Sequence, residues 1–214
     1  TNNFEPRLSH AHADVLSITC FAYGKYLLTD QGYGSVQTGD YWPYNQSALQ
    51  HNVVTVNNDE DWLNYGTVKS SNLERGTGIN VAFESNMQYD FQEYATELFT
   101  TTQISQRSVT FVRDDNFWIV TDYHVPTNPE TDNLFTQNWH IYPGANFTYD
   151  ENYVIRSNFD DVNIIVAPIE DEEIDELRRV KTLYSEAANN FMNGEKAMLY
   201  KTKKGTGRCT TILG

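Results

Sequence analysis

The sequence predicts an all-β chain folded as one large antiparallel β-sandwich, with few or no helices. Three observations predict it. Aromatic residues are abundant, with 14 tyrosines, 11 phenylalanines and four tryptophans, and such side chains suit a half-buried pleated surface. Apolar and polar residues alternate with period two through most of the chain. Turn-forming runs separate these segments without long helical patterns between them, which favours a sandwich over a parallel α/β sheet.

The first alternating segment is Val15–Tyr23, where Leu16, Ile18, Cys20 and Ala22 share one face. Gly24-Lys25 reads as a tight turn into "YLLTD", a hairpin whose second strand ends at Asp30. The following "QGYGSVQTGDYWPYNQSALQ" mixes aromatics with Gly, Pro, Asn and Ser, and reads as a long functional loop. Further strands are expected at "HNVVTVN", "GINVAFES", "FQEYATELFT", "RSVTFVRD", "FWIVTDYHV", "LFTQNWHIYP", "NYVIRS" and "NIIVAPI". "RDDN" and "YPGAN" supply turns between them. "DEEIDELRRV" is the one helix candidate, with acids first and arginines last as the helix dipole prefers.

A chain of 214 residues buries one sizeable core, and no composition break or Pro/Gly/Ser-rich linker divides it, so residues 1–214 read as a single domain. The formal net charge of −14 argues against nucleic acid as a partner, because phosphate binding needs a basic face. No apolar run is long enough to span a bilayer, and no signal peptide is visible. Two cysteines, Cys20 and Cys209, form no disulfide framework. Cys20 reads as a small core residue, and a bridge between the two stays open.

Only five histidines occur, and two fall within three positions in "SHAHAD". Extended backbone turns positions i and i+2 the same way, so His10, His12 and Asp14 can share a face. The hairpin returns the chain beside its start, bringing Asp30 near His12, and His51 heads a further strand. Two imidazoles and a carboxylate suit zinc. Histidines at a strand entry that bond only backbone would give the same spacing, and Asp14 could equally cap that entry. His124 and His140 lie within strand patterns, where a satisfied sheet histidine is the plainer reading.

"HAHADVLSITCFAYGKYLLTDQGYG" followed by "HNVVTVN" resembles the central motif of the heparinase II/III-like polysaccharide lyases. "RSVTFVRDDNFWIVTDYHV", "NWHIYPG" and the terminal "CTTIL" add to the likeness, which runs from residue 8 to residue 213. The resemblance implies a supersandwich-like β domain belonging to a longer lyase, with an N-terminal α/α toroid as its partner. It implies that His12, Asp30 and His51 bind a structural zinc, with Asp14 supporting the motif. It places His10 in the cleft facing the toroid, as base or as partner of the substrate carboxylate. Tyr41 and Tyr44 of the aromatic loop become candidate catalytic groups, and Tyr33, Trp42 and His140 candidate substrate contacts.

The implied reaction is β-elimination on a uronate-containing polysaccharide by a secreted or periplasmic bacterial enzyme, with the isolated sandwich inactive. The acidic balance repels heparin-type substrates unless basic residues gather in the cleft or the toroid, and leaves open less charged uronates such as alginate, hyaluronan or unsulfated heparosan. A non-catalytic carbohydrate-binding or structural sandwich is the alternative.

Overall fold

A computed structural model describes residues 12–30, 47–57, 79–97, 99, 101–169, 174–187 and 190–214. Its strands, in chain order, are β1 (Cys20–Ala22), β2 (Lys25–Leu28), β3 (Val54–Val56), β4 (Ile79–Ser85), β5 (Tyr89–Thr96), β6 (Thr102–Val112) and β7 (Phe117–Pro126). They continue as β8 (Asn133–Ile141), β9 (Phe147–Tyr149), β10 (Ile155–Ser157), β11 (Ile165–Pro168), β12 (Glu176–Ala187), β13 (Asn190–Lys203) and β14 (Gly207–Leu213). Among the described residues the one helical element is a single 3-10 turn, Ala48–Gln50.

The strands form two antiparallel sheets, as the alternation predicts. One has the order β1-β2-β8-β13-β12, with β3 also paired to β8. The other has the order β4-β5-β6-β7-β14-β11-β10-β9. Their facing sides bury one core, with Leu28, Trp139, Ile141, Ala197 and Leu199 from the first sheet against Val120, Ile155, Val166 and Leu213 from the second. Phe135 and Cys209 extend it toward β3 through Val54 and Val56. Gly207 is needed there, because a Cβ would lie 2.3 Å from the Phe135 ring.

Strand β8 positions the site. Alternation sends Trp139 and Ile141 into the intersheet core and Asn138 and His140 to the opposite face. That face is also buried, with Asn138 and His140 both 0% exposed. The Asn138 side-chain amide and backbone N–H both donate to Val53 O, just ahead of the neighbouring strand β3.

Three local expectations are corrected. The first strand is shorter than Val15–Tyr23: Val15 and Leu16 form a turn, and pairing covers only Cys20–Ala22. The hairpin turn is Tyr23-Gly24, one residue earlier than expected, and both residues take positive φ (53° and 84°), the type I′ geometry that matches strand twist. "DEEIDELRRV" is no helix over its described part, because Glu176 onward is β12. There Leu177 pairs with Leu199 of β13, and the pleat puts Thr182 and Tyr184 on the other face. Tertiary pairing outweighs the favourable order of charges. β13, unpredicted, has lysines at Lys196 and Lys201 that look solvent-facing yet are 3% and 5% exposed.

Candidate metal centre and its supporting network

His12, Asp30 and His51 come from three separated segments, and the fold brings them together. His51 leaves the 3-10 turn, which Ser47 caps by accepting the Leu49 N–H. Asp30 follows β2 by two residues, and His12 precedes the turn that leads into β1. His51 is fully buried and its Nδ1 lies 2.6 Å from Asp30 Oδ2, whose side chain is 30% exposed. The His12 and His51 ring centroids are 5.4 Å apart with planes inclined by 46°. His51 Nε2 is buried without a hydrogen-bond partner among the described residues.

This geometry can be set against zinc. With Zn–N bonds of 2.0–2.1 Å at tetrahedral angles, two ligating imidazoles have centroids about 5 Å apart, close to the His12–His51 separation. Adjacent N and O ligands stand about 3.3 Å apart on the same basis. With His51 ligating through Nδ1, the nitrogen that faces Asp30, this contact would open by about 0.7 Å to admit a metal. No group of three His, Cys, Asp or Glu side chains among the described residues already has metal-holding geometry. The donor set fits zinc in type, and one carboxylate has to move.

Beneath the three residues lies His140, fully buried on β8, with its Nδ1 3.1 Å from Asn52 Oδ1. Burial holds this imidazole well below its usual pKa, with the Lys196 charge and His51 adding to the effect, so it is neutral. Its expected role as a substrate contact meets a ring with no exposed surface. Asp14 is exposed, and its carbonyl accepts the Ser17 N–H at 2.8 Å. His10, Tyr33, Tyr41, Trp42 and Tyr44 lie outside the described residues.

Sequence reasoning missed Asn52, Arg107, Asp122 and Lys196. Arg107 of β6 and Asp122 of β7 form a bidentate ion pair at 2.7 and 2.9 Å, both essentially unexposed. The same guanidinium donates to Leu16 O at 2.7 Å and to Asn52 O. Next to it His124 places Nδ1 3.0 Å from Ser105 Oγ, and Ser105 is 2.9 Å from Thr102 Oγ1. Burial, opposed by Asp122 and aided by Arg107, lowers the His124 pKa to about 4. Lys196 donates its ammonium to Leu49 O, inside the 3-10 turn. Only Asn52 carried a sequence signal, as the residue after His51 in "HN".

The family model described as Heparinase II/III-like, C-terminal, matches residues 3–208. The chain belongs to the heparinase II/III-like family. Among solved structures, heparan sulfate lyase HepC from Pedobacter heparinus aligns with a TM-score of 0.79 at 17% identity, covering 95% of this chain and 30% of that one. A heparinase III aligns with a TM-score of 0.75 at 14% identity, covering 94% and 29%. These likenesses establish the fold. The chain thus spans about 30% of the length of the heparinases it matches. No curated protein matches it in sequence. Among the described residues, no helix is long and apolar enough to cross a membrane.

Proposed function

We propose that this chain is the zinc-bearing C-terminal sandwich of a longer bacterial polysaccharide lyase, secreted or periplasmic, that cleaves uronate-containing glycans by β-elimination. The observation that carries the reading is the convergence of His12, Asp30 and His51 over the outer side of β8, in a chain that belongs to the heparinase II/III-like family. Zinc, when bound there, supplies a structural cross-link between the three segments.

His10 stands two residues before His12, so anchoring His12 confines the His10 Cα to within about 7 Å. In the elimination a base removes the proton on sugar carbon 5, and the electron pair moves toward the carboxylate. The bond from carbon 4 to the leaving oxygen then breaks, and an acid protonates that oxygen. Stabilising the carbanion-like charge dominates the barrier. A neutral imidazole at His10 can accept the proton or, as a donor, steady the carboxylate. Tyr41 or Tyr44 is the candidate to exchange the second proton, with Tyr33 and Trp42 as candidate sugar contacts. His140 then supports the metal segments from below. The remaining groups of the cleft are assigned to an N-terminal toroid, which leaves the isolated sandwich inactive.

A row of aromatic rings with an exposed end on the β1–β2 hairpin supports a glycan partner. Phe21 meets Tyr26 edge-on at 5.0 Å, Tyr26 stacks near Tyr142 at 6.0 Å, and Tyr142 meets Tyr184 at 5.4 Å. Phe21 and Tyr26 are 60% and 43% exposed. Such a row also suits a non-catalytic carbohydrate-binding module, the second reading.

Full-length protein incubated with alginate, hyaluronan and heparosan decides between them through the ultraviolet absorbance of the unsaturated product. On the lyase reading His10→Ala lowers turnover at least hundredfold, the scale of losing one group that acts in the transition state, while zinc content holds. Normal turnover in His10→Ala, or loss of its zinc, contradicts the assigned role. Binding of a glycan without any cleavage supports the module instead.

A further inference from the structure

Asn52, the residue next to the buried His51, bonds through both its side chain and its backbone. The Asn52 side chain saturates its hydrogen-bonding capacity. Its Oδ1 accepts the His140 backbone N–H at 2.7 Å and faces His140 Nδ1 at 3.1 Å. Its Nδ2 donates to Ile18 O and Thr29 O, both at 2.8 Å. Its backbone N–H donates to Ser17 Oγ at 3.1 Å, and its carbonyl accepts from Arg107. The amide orientation is not arbitrary. A backbone N–H can only donate and two carbonyls can only accept, so oxygen and nitrogen are fixed by their neighbours.

These bonds reach every segment that carries a candidate ligand. Thr29 precedes Asp30, Asn52 follows His51, and Leu16, Ser17 and Ile18 follow His12 within six residues. Arg107 then ties two of the segments to the second sheet, through Leu16 O and Asn52 O, while Asp122 holds its fork in place.

We propose that Asn52 and Arg107 are positioning residues for the metal centre: Asn52 sets the spacing of the segments bearing His12, Asp30 and His51, and Arg107 fixes that cluster to the second sheet. Neither residue supplies a ligand. A corollary concerns His140. Because Asn52 Oδ1 only accepts, His140 carries its proton on Nδ1 and keeps Nε2 bare, and that nitrogen is buried without a partner among the described residues. The inference rests on the zinc reading above, and its tests separate the two.

The experiment measures zinc affinity by competition with a chromophoric chelator, at a temperature far below every unfolding midpoint. It compares wild type, Asn52→Ala, Arg107→Lys and Val120→Ala, the last a core control whose apolar side chain makes no hydrogen bond to the ligand-bearing segments. Loss of a residue that orients metal ligands typically weakens metal binding about 10–100-fold. Asn52→Ala is expected to fall in that range, with Arg107→Lys weaker than wild type by a smaller factor. Val120→Ala should be destabilised at unchanged affinity. Should Asn52→Ala fail to fold, Arg107→Lys carries the comparison. Affinities in both variants equal to that of Val120→Ala overturn the proposal.

If wild type binds no zinc, the zinc reading fails and the positioning claim is read from the imidazole nitrogens. Nitrogen-15 correlation spectra should show His140 as the Nδ1–H tautomer in wild type, and an altered tautomer mixture in Asn52→Ala. A wild-type His140 protonated on Nε2 contradicts the assignment.

Discussion

Two histidine–aspartate clusters meet at His51-Asn52, and they solve opposite problems. In the Arg107–Asp122–His124 cluster every charged group is sealed between the sheets, and the arginine is matched by a bidentate carboxylate. In the His12–Asp30–His51 cluster the carboxylate is partly exposed and one imidazole nitrogen is unpartnered among the described residues. The first is closed, so its chemistry is spent on holding strands and loops in register. The second is open, with a partly solvated carboxylate against a buried imidazole. The residue types alone do not separate them, and each holds a buried imidazole nitrogen without a partner among the described residues; the exposure of the carboxylate does.

The largest expected effect lies in the closed cluster. Asp122→Ala strands the Arg107 charge away from water, and denaturation should register a loss of about 3–5 kcal/mol. A loss below about 1 kcal/mol would show that water or another group reaches the guanidinium, and the distinction between closed and open would fail.

Next comes pH. His124 has its folded pKa lowered to about 4 from an ordinary 6.5, so the unfolded chain binds the proton more readily between those values. Stability from this group is therefore complete above pH 6.5 and declines as pH falls toward 4. The loss amounts to about 3 kcal/mol at about 1.4 kcal/mol per pKa unit. Urea titrations across pH 4–7 should show a shallower slope in His124→Gln than in wild type. Parallel slopes would mean that His124 is not shielded.

In the open cluster the expected stability effect is smaller. Asp30→Asn in metal-free protein should cost no more than about 1 kcal/mol, since the carboxylate is partly solvated. The smallest effect concerns the two cysteines, which form no disulfide, are buried and lie on different sheets. Reductant should leave the unfolding temperature unchanged, and both thiols should react only after unfolding.

The sandwich was legible because period-two alternation reports directly on burial at one sheet face. It failed where the pleat hides charge. Lys196 and Lys201 of β13 gave that strand a solvated look, although Leu49 O and Arg208 O accept their ammonium groups in the interior. Opposed charges made β12 look helical for a similar reason. Hairpin geometry, which a sequence encodes locally, spoke only for Asp30 and His12; the place of His51, which the structure sets against both, was implied by the family resemblance. The support beneath them showed in neither. Arg107 acts on Leu16 and Asn52 across 91 and 55 residues, through the stacking of two sheets, and no local pattern marks such a contact.

The central claim is that three segments converge to hold one zinc ion, and zinc K-edge absorption with metal quantification tests it most directly. Wild-type protein is expected to carry one zinc per chain in a nitrogen and oxygen shell at about 2.0–2.1 Å with the multiple scattering of two imidazoles. His12→Ala should carry none. Stoichiometric zinc retained by His12→Ala, a sulfur ligand in the shell, or no zinc bound by folded wild type would contradict the account.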